Sequence, residues 1–225
     1  SIDGSEMAER AEPLVRVRGE VTLDVEPEIA RLVVTIRAQD RNRRRTLDRL
    51  AERQRACRAL IDRYGEAVED VGASAVVITP ELRGGRGERI RAYHGAVRLR
   101  VSVRDFTVLG ELVTELGDAE MAAVEGPSWE LRPGTEVYGR AAEQAMHAAL
   151  TKARTYAHAL GTEVTGLVEV ADIGLSHNAV GYPPPVPVAY AAAEAAPPVL
   201  DLEPHPIQVH AAVEATFTLA PPPRL

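Results

Sequence analysis

The 225-residue chain is 45% hydrophobic and 26% charged, with 17 glycines, 16 prolines and a formal net charge of −7. That balance matches an ordinary folded protein of one large domain or two small ones, and it excludes collagen-like and wholly disordered classes. Aromatic residues make up only 4%, so stacking platforms for bases are scarce, and with the acidic balance this argues against a general nucleic-acid binder.

The single cysteine, Cys57, has no partner for an internal disulfide, which fits a reducing compartment. No run approaches the ~20 apolar residues of a membrane span, and no apolar leader segment follows a basic start. Ser1 to Glu6 precede a Met7-Ala8-Glu9-Arg10 that reads as a natural start. Residues 1–13 are therefore expected to be a tag remnant and flexible N-terminus. The expected location is cytoplasmic if Met7 is the native start, and periplasmic or secreted if a leader has been removed.

Val15, Val17, Gly19, Val21, Leu23 and Val25 alternate with polar residues, the period of a strand with one wet face. Glu26-Pro27-Glu28 interrupts, and Ala30, Leu32, Val34 and Ile36 resume the alternation. The short connection predicts that these two strands form an antiparallel hairpin. From Asn42 the period lengthens. Leu47, Leu50, Ala51, Gln54, Cys57, Ile61 and Tyr64 lay one stripe along a helix that Gly65 ends.

Val76 to Leu82 and Tyr93 to Val103 predict a second hairpin around the Gly84-Gly85-Arg86-Gly87 turn, with Gly95, Val97, Leu99, Val101 and Val103 inward. The glycine run lacks the Gly-Lys-Ser/Thr ending of a phosphate loop and lies between strands, so it is read as a turn. Asp105 caps a short helix through Leu116, and Val124 to Leu131, with Trp129, predicts a strand.

Thr135 and Glu136 open a long helix with mostly small apolar positions: Val137, Ala141, Ala142, Ala145, Met146, Ala149, Leu150, Ala153, Tyr156, Ala157 and Leu160. Such a helix should lie close against a sheet. Gly161 stops it, and Val164 to Ile173 is a strand. The segment 177–206 holds Tyr182-Pro183-Pro184-Pro185-Val186-Pro187 and reads as a loop. After it, Ile207, Val209, Ala211, Val213, Ala215, Phe217 and Leu219 alternate strictly, so a closing strand must pair with strands already built.

The whole predicts an α+β fold, a single domain over 14–219 with a tail at 220–225: an antiparallel sheet of long hairpin strands, helices on one face. Arg31 to Leu82 and Ser128 to Ile173 share the order strand, helix, glycine, strand, a weak internal duplication.

These features, taken in order, resemble the SIMPL domain family. The match is carried by Val17-Arg18-Gly19-Glu20, Val25-Glu26-Pro27-Glu28-Ile29-Ala30, the first helix, Val76 to Leu82, and Tyr93 through Asp105. Leu109-Gly110-Glu111-Leu112, the helix from Ala141 to Gly161, the Pro-rich loop and the closing strand complete it. The resemblance implies a sheet-and-helix fold, homo-oligomerisation, export in bacteria as in periplasmic immunogenic proteins, and links to envelope or oxidative stress. An animal relative is similar to an adaptor for Pelle-like kinases. The family has no established catalytic residues, so none is carried over.

The residues themselves suggest no catalytic, cofactor or metal site. His147 and His158 stand three helix turns apart, too far to share a metal ion held at ~2.0–2.1 Å, and Cys57 falls on a core stripe. Lys152 is the sole lysine. Between Arg41 and Arg63, nine arginines stand against Asp48, Glu52 and Asp62. The first expectation is thus a non-catalytic assembly or adaptor protein that partners itself, with Tyr182, Val186, Val188, Tyr190 and Leu200 of the Pro-rich loop as the oligomer contact. The alternative is a binder of nucleic acid or another anionic ligand through Arg41, Arg44, Arg45 and Arg49 on the first helix, with Arg86 and Arg89 on the hairpin. A contiguous positive patch joining helix and hairpin would favour the alternative. Carboxylates interleaved throughout would count against it.

Overall fold

A computed structural model describes residues 12–84, 89–179 and 202–225 of the chain. The described residues form eight strands and three α-helices, in two antiparallel sheets that belong to two compact units. The Pro-rich residues named above as an oligomer contact, and Arg86, lie outside the described residues.

The first unit is built from β1 (Leu14–Val25), α3 (Val137–Ala159), β7 (Val164–Ala179) and β8 (Ile207–Leu219), the strands in the order β1-β8-β7. The closing strand β8 lies in the centre and pairs with both neighbours. Its register with β1 runs unbroken from Leu14 opposite Thr218 to Val25 opposite Ile207. Its alternating set Ile207, Val209, Ala211, Val213, Ala215, Phe217 and Leu219 is buried, and α3 lies against β1 and β8.

The buried residues of α3 are Val137, Ala141, Ala145, Ala149, Ala153 and Ala157. They recur every fourth residue, along a ridge that inclines to the helix axis. Methyl-sized side chains let the helix backbone approach the strand, and Gly19 of β1 completes the contact. A β-carbon there would meet the Ala149 nitrogen at 2.5 Å and the Ala149 β-carbon at 2.8 Å, as well as the Ala145 carbonyl oxygen. The Lys152 ammonium also donates to the Arg18 carbonyl at 2.7 Å. The predicted stripe was too wide: Ala142, Tyr156 and Leu160 are exposed, because a helix on a thin sheet buries one ridge only.

The second unit holds β2 (Ile29–Asp40), α1 (Arg43–Asp62), β3 (Val68–Ala73), β4 (Val77–Leu82), β5 (Ile90–Val103), α2 (Leu109–Asp118) and β6 (Ala122–Glu130). Its strand order is β3-β5-β2-β6, and β4 pairs with the other half of β5, so β3 and β4 share one edge of that strand end to end. The core gathers Leu32, Val34 and Ile36 of β2, Val97, Leu99 and Val101 of β5, and Leu109, Leu112 and Leu116 of α2, all at 0–1% exposure. Phe106 closes edge-on against Trp129, with ring centroids 5.1 Å apart. As read from the sequence, Asp105 caps the turn into α2, accepting from the Thr107 N–H at 3.0 Å.

Three expectations are corrected, and one strand stands where none was expected. β1 and β2 do not form a hairpin but belong to different sheets. The connection explains it: Glu26-Pro27-Glu28 offers no residue suited to a tight hairpin turn, Pro27 has no N–H, and the Glu28 N–H donates to Glu130 of β6 at 3.0 Å. The single sheet is accordingly two sheets, one packed with α3 and the other with α1 and α2. The shared order of the duplicated stretches is not a shared tertiary unit, because β2 and β3 lie in one sheet while β6 and β7 lie in two. Finally, β3 escaped the alternation rule: Glu69, Asp70 and Gly72 are poor strand formers, held there by pairing with β5.

Candidate anion-binding cleft

The end of β2 runs into α1 through two residues, Arg41 and Asn42. Asn42 caps the helix, its side chain accepting from the Arg45 N–H at 3.1 Å, while its own N–H donates to Asp40 Oδ1 at 2.8 Å. This places Asp40 and Arg41 at the mouth of the helix and sets Arg45 and Arg49 one turn apart, about 6 Å along the axis. Thr46, buried between them, donates its hydroxyl to the Asn42 carbonyl at 3.0 Å and so fixes the first turn.

Facing this turn is the β4–β5 hairpin. Asp40 pairs with Tyr93 and Gln39 with His94 in the register of β2 with β5. Arg83 follows the end of β4, its N–H donating to the Arg89 carbonyl at 2.9 Å, and Arg91 lies near the start of β5. The result is a cleft of about 590 Å³ lined by Gln39, Asp40, Arg41, Arg45, Arg49, Arg83, Arg91 and Ala92.

Among the described residues of the lining, five guanidinium groups therefore face one carboxylate, and that carboxylate is committed. Asp40, only 12% exposed, holds Arg49 through Oδ2 at 3.4 Å while Oδ1 takes the Asn42 N–H. Arg49 also donates to the Gln39 carbonyl at 3.2 Å. Arg91 approaches Glu81 no closer than 3.9 Å. Glu81 instead accepts from His94 Nε2 at 2.7 Å, and this hydrogen bond holds its carboxyl below the usual range. Arg41, Arg45 and Arg83 make no ion pair with a carboxylate among the described residues.

Of the arginines named from the sequence, Arg41, Arg45 and Arg49 line the cleft. Arg44, one position round the helix, pairs instead with Asp48 at 3.5 Å. Arg89 is exposed but does not line it, and Arg86 lies outside the described residues. Sequence reasoning missed Arg83 and Arg91. Arg83 directly precedes the glycine turn and Arg91 lies at the start of the return strand, beside an irregularity of the register, so only their nearness to the hairpin tip is legible in the sequence.

A second cleft of about 550 Å³, lined by Arg49, Glu52, Arg53, Ala56, Cys57, Leu60, Ala119 and Glu120, is different in kind. Arg53 is consumed there by Glu120 and the Arg37 carbonyl, each at 2.9 Å. Cys57 is 3% exposed, and burial pushes its thiol pKa up, away from the reactive thiolate. His147 and His158 both lie exposed on α3.

A family model covers residues 15–217, and thus both units. The chain belongs to the SIMPL family. That family is described as a protein of unknown function, DUF541, so membership agrees with the resemblance read from the sequence and assigns no chemistry to the cleft. No curated protein matches the chain. Among the described residues no helix of this SIMPL domain is long and apolar enough to cross a membrane.

Proposed function

We propose that this SIMPL domain is a non-catalytic assembly or adaptor protein that engages an anionic partner through the arginine cleft. One observation carries the reading: among the described residues, helix and hairpin bring five guanidinium groups together around a single, already paired carboxylate. A cation cluster of this kind repels itself, and an anion relieves the repulsion through charge-assisted, bidentate contacts. In a chain of net charge −7 such a patch is local, so it selects what docks at one place and not what adheres everywhere.

The test is equilibrium binding of fluorescein-labelled hexaglutamate, followed by anisotropy. Binding should weaken as salt rises and be lost in an Arg45→Ser/Arg83→Ser double variant. Equal binding by that variant would count against the cleft.

Self-association is a second reading, supported by β7. It is an edge strand of the three-stranded sheet, with Leu167, Val168, Val170 and Ile173 between 42% and 56% exposed. Leu167 and Val170 stand opposite the buried Phe217 and Ala215, so they point to the side of the sheet that α3 covers over β1 and β8. Free backbone groups beside uncovered apolar side chains invite pairing. Light scattering after size exclusion checks this: the chain should run as an oligomer that Val168→Lys and Val170→Lys dissociate, and a concentration-independent monomer would end the reading.

A further inference from the structure

We infer that the ligand of the arginine cleft is a compact oligophosphate, with pyrophosphate its minimal form, bound through the phosphoryl groups alone. This rests on the proposed anionic function and narrows it.

The guanidinium groups come from two walls. Arg45 and Arg49 rise from α1, with Arg41 at its mouth, while Arg83 and Arg91 stand on the hairpin. A carboxylate carries one charge, on two oxygens that lie in one plane. A phosphoryl group presents three terminal oxygens in a tetrahedral array and up to two charges, so forks from opposite walls can grip the same group. Two linked phosphoryl groups spread the charge over a longer span, so that each wall can grip a group of its own.

The charge count points the same way. Arg49 is held by Asp40 and serves as a fixed post, while Arg41, Arg45 and Arg83 have no carboxylate among the described residues, and Arg91 has only the distant Glu81. Among the described residues roughly four positive charges are left to answer, more than the up to two that a single phosphoryl group carries. The lining also excludes larger chemistry. Among the described residues Ala92 is the only apolar side chain of the lining and none is aromatic, so neither a base nor an acyl chain finds a surface there to stack on or bury against.

Isothermal titration calorimetry on the full chain tests this with four probes: pyrophosphate, orthophosphate, ADP and hexaglutamate. Pyrophosphate should bind at one site at least tenfold tighter than orthophosphate, and ADP within threefold of pyrophosphate, because its adenosine gains no contact. Arg45→Ser/Arg83→Ser should weaken pyrophosphate at least tenfold. Arg45→Lys/Arg83→Lys, which keeps charge but removes the forks, should weaken it by a smaller factor, and Arg43→Ser, outside the cleft, should leave it within twofold. Melting curves of each variant establish that it is folded. Pyrophosphate no tighter than orthophosphate, a preference for ADP above tenfold, or equal losses in Arg43→Ser would overturn the inference. Hexaglutamate binding that depends on Arg45 and Arg83, without pyrophosphate binding, would overturn it while leaving the anionic reading intact. Failure of every probe would remove both.

Discussion

Helix α3 buries Val137 and five alanines at four-residue intervals, whereas α1 buries Thr46, Leu50, Cys57 and Ile61 and leaves most of its remaining surface to charge. The first contact is backbone against backbone, closed by Gly19. The second is made by side chains of ordinary size, where a β-carbon on Gly95 would meet the Thr46 and Leu50 side chains first, at 3.2 and 3.3 Å, and the Ala38 carbonyl oxygen only at an ordinary 3.9 Å. A helix seated through its backbone leaves no slack, while one seated through a few side chains tolerates adjustment and frees its first turns to present arginines. Tight seating and a charged, exposed face are thus divided between two helices of similar length.

The largest expected effect breaks the tight region. Val213→Asp places an unpaired charge under α3, at a position 8% exposed, which costs several kcal/mol. The variant should lose its cooperative melt by circular dichroism, and an unchanged melting temperature would contradict the β1-β8-β7 sheet.

The contrast between the helices is sharpened by matched glycine substitutions. Gly19→Ala should destabilise by about 1–3 kcal/mol or more, since the α3 backbone cannot yield. Gly95→Ala meets side chains that can rotate aside, and should cost clearly less. Denaturant midpoints for the pair decide it: equal losses would mean that α1 is seated as rigidly as α3.

How far these differences were legible follows from the type of signal each region carries. The strict alternation of β1, β2, β5 and β8 and the glycine stops made the elements plain. Sheet membership was not, because Pro27 and the Glu28 bond to Glu130 decide it, and the latter spans a hundred residues of chain. The arginine run on α1 was visible as composition. Which arginines are free was not: Arg44 and Arg53 are answered by Asp48 and Glu120 while Arg45 is not, and only the register of the β4–β5 hairpin brings Arg83 and Arg91 across. Apolar residues such as Ala51 and Tyr156 fit a helical period yet are exposed, since period alone does not fix the width of a buried stripe.

Smaller effects concern charge and reactivity in the second unit. Arg132 donates to Glu69 at 2.9 Å and pairs with it at 2.8 Å, and this hydrogen bond holds the Glu69 carboxyl below its ordinary range. A depressed carboxyl pKa contributes stability above the unfolded value of about 4.3, and that contribution is lost as pH falls through the folded value. Glu69→Gln should therefore melt slightly below the wild type at pH 7, with the gap closing in acid; a gap that widens in acid would contradict the pairing. Cys57 should react slowly with a thiol reagent in the native state and rapidly in denaturant. Rapid native labelling would show that α1 opens far more readily than its buried set implies.

The central claim, that the freedom of α1 is used at one arginine cleft, is met most directly by nuclear magnetic resonance of the arginine Nε–Hε groups during titration with pyrophosphate. The account predicts shifts concentrated at Arg41, Arg45, Arg49, Arg83 and Arg91 that saturate together, with Arg43, Arg55 and Arg58 unmoved. Shifts spread evenly over all the arginines of α1, or none at the hairpin pair, would contradict it.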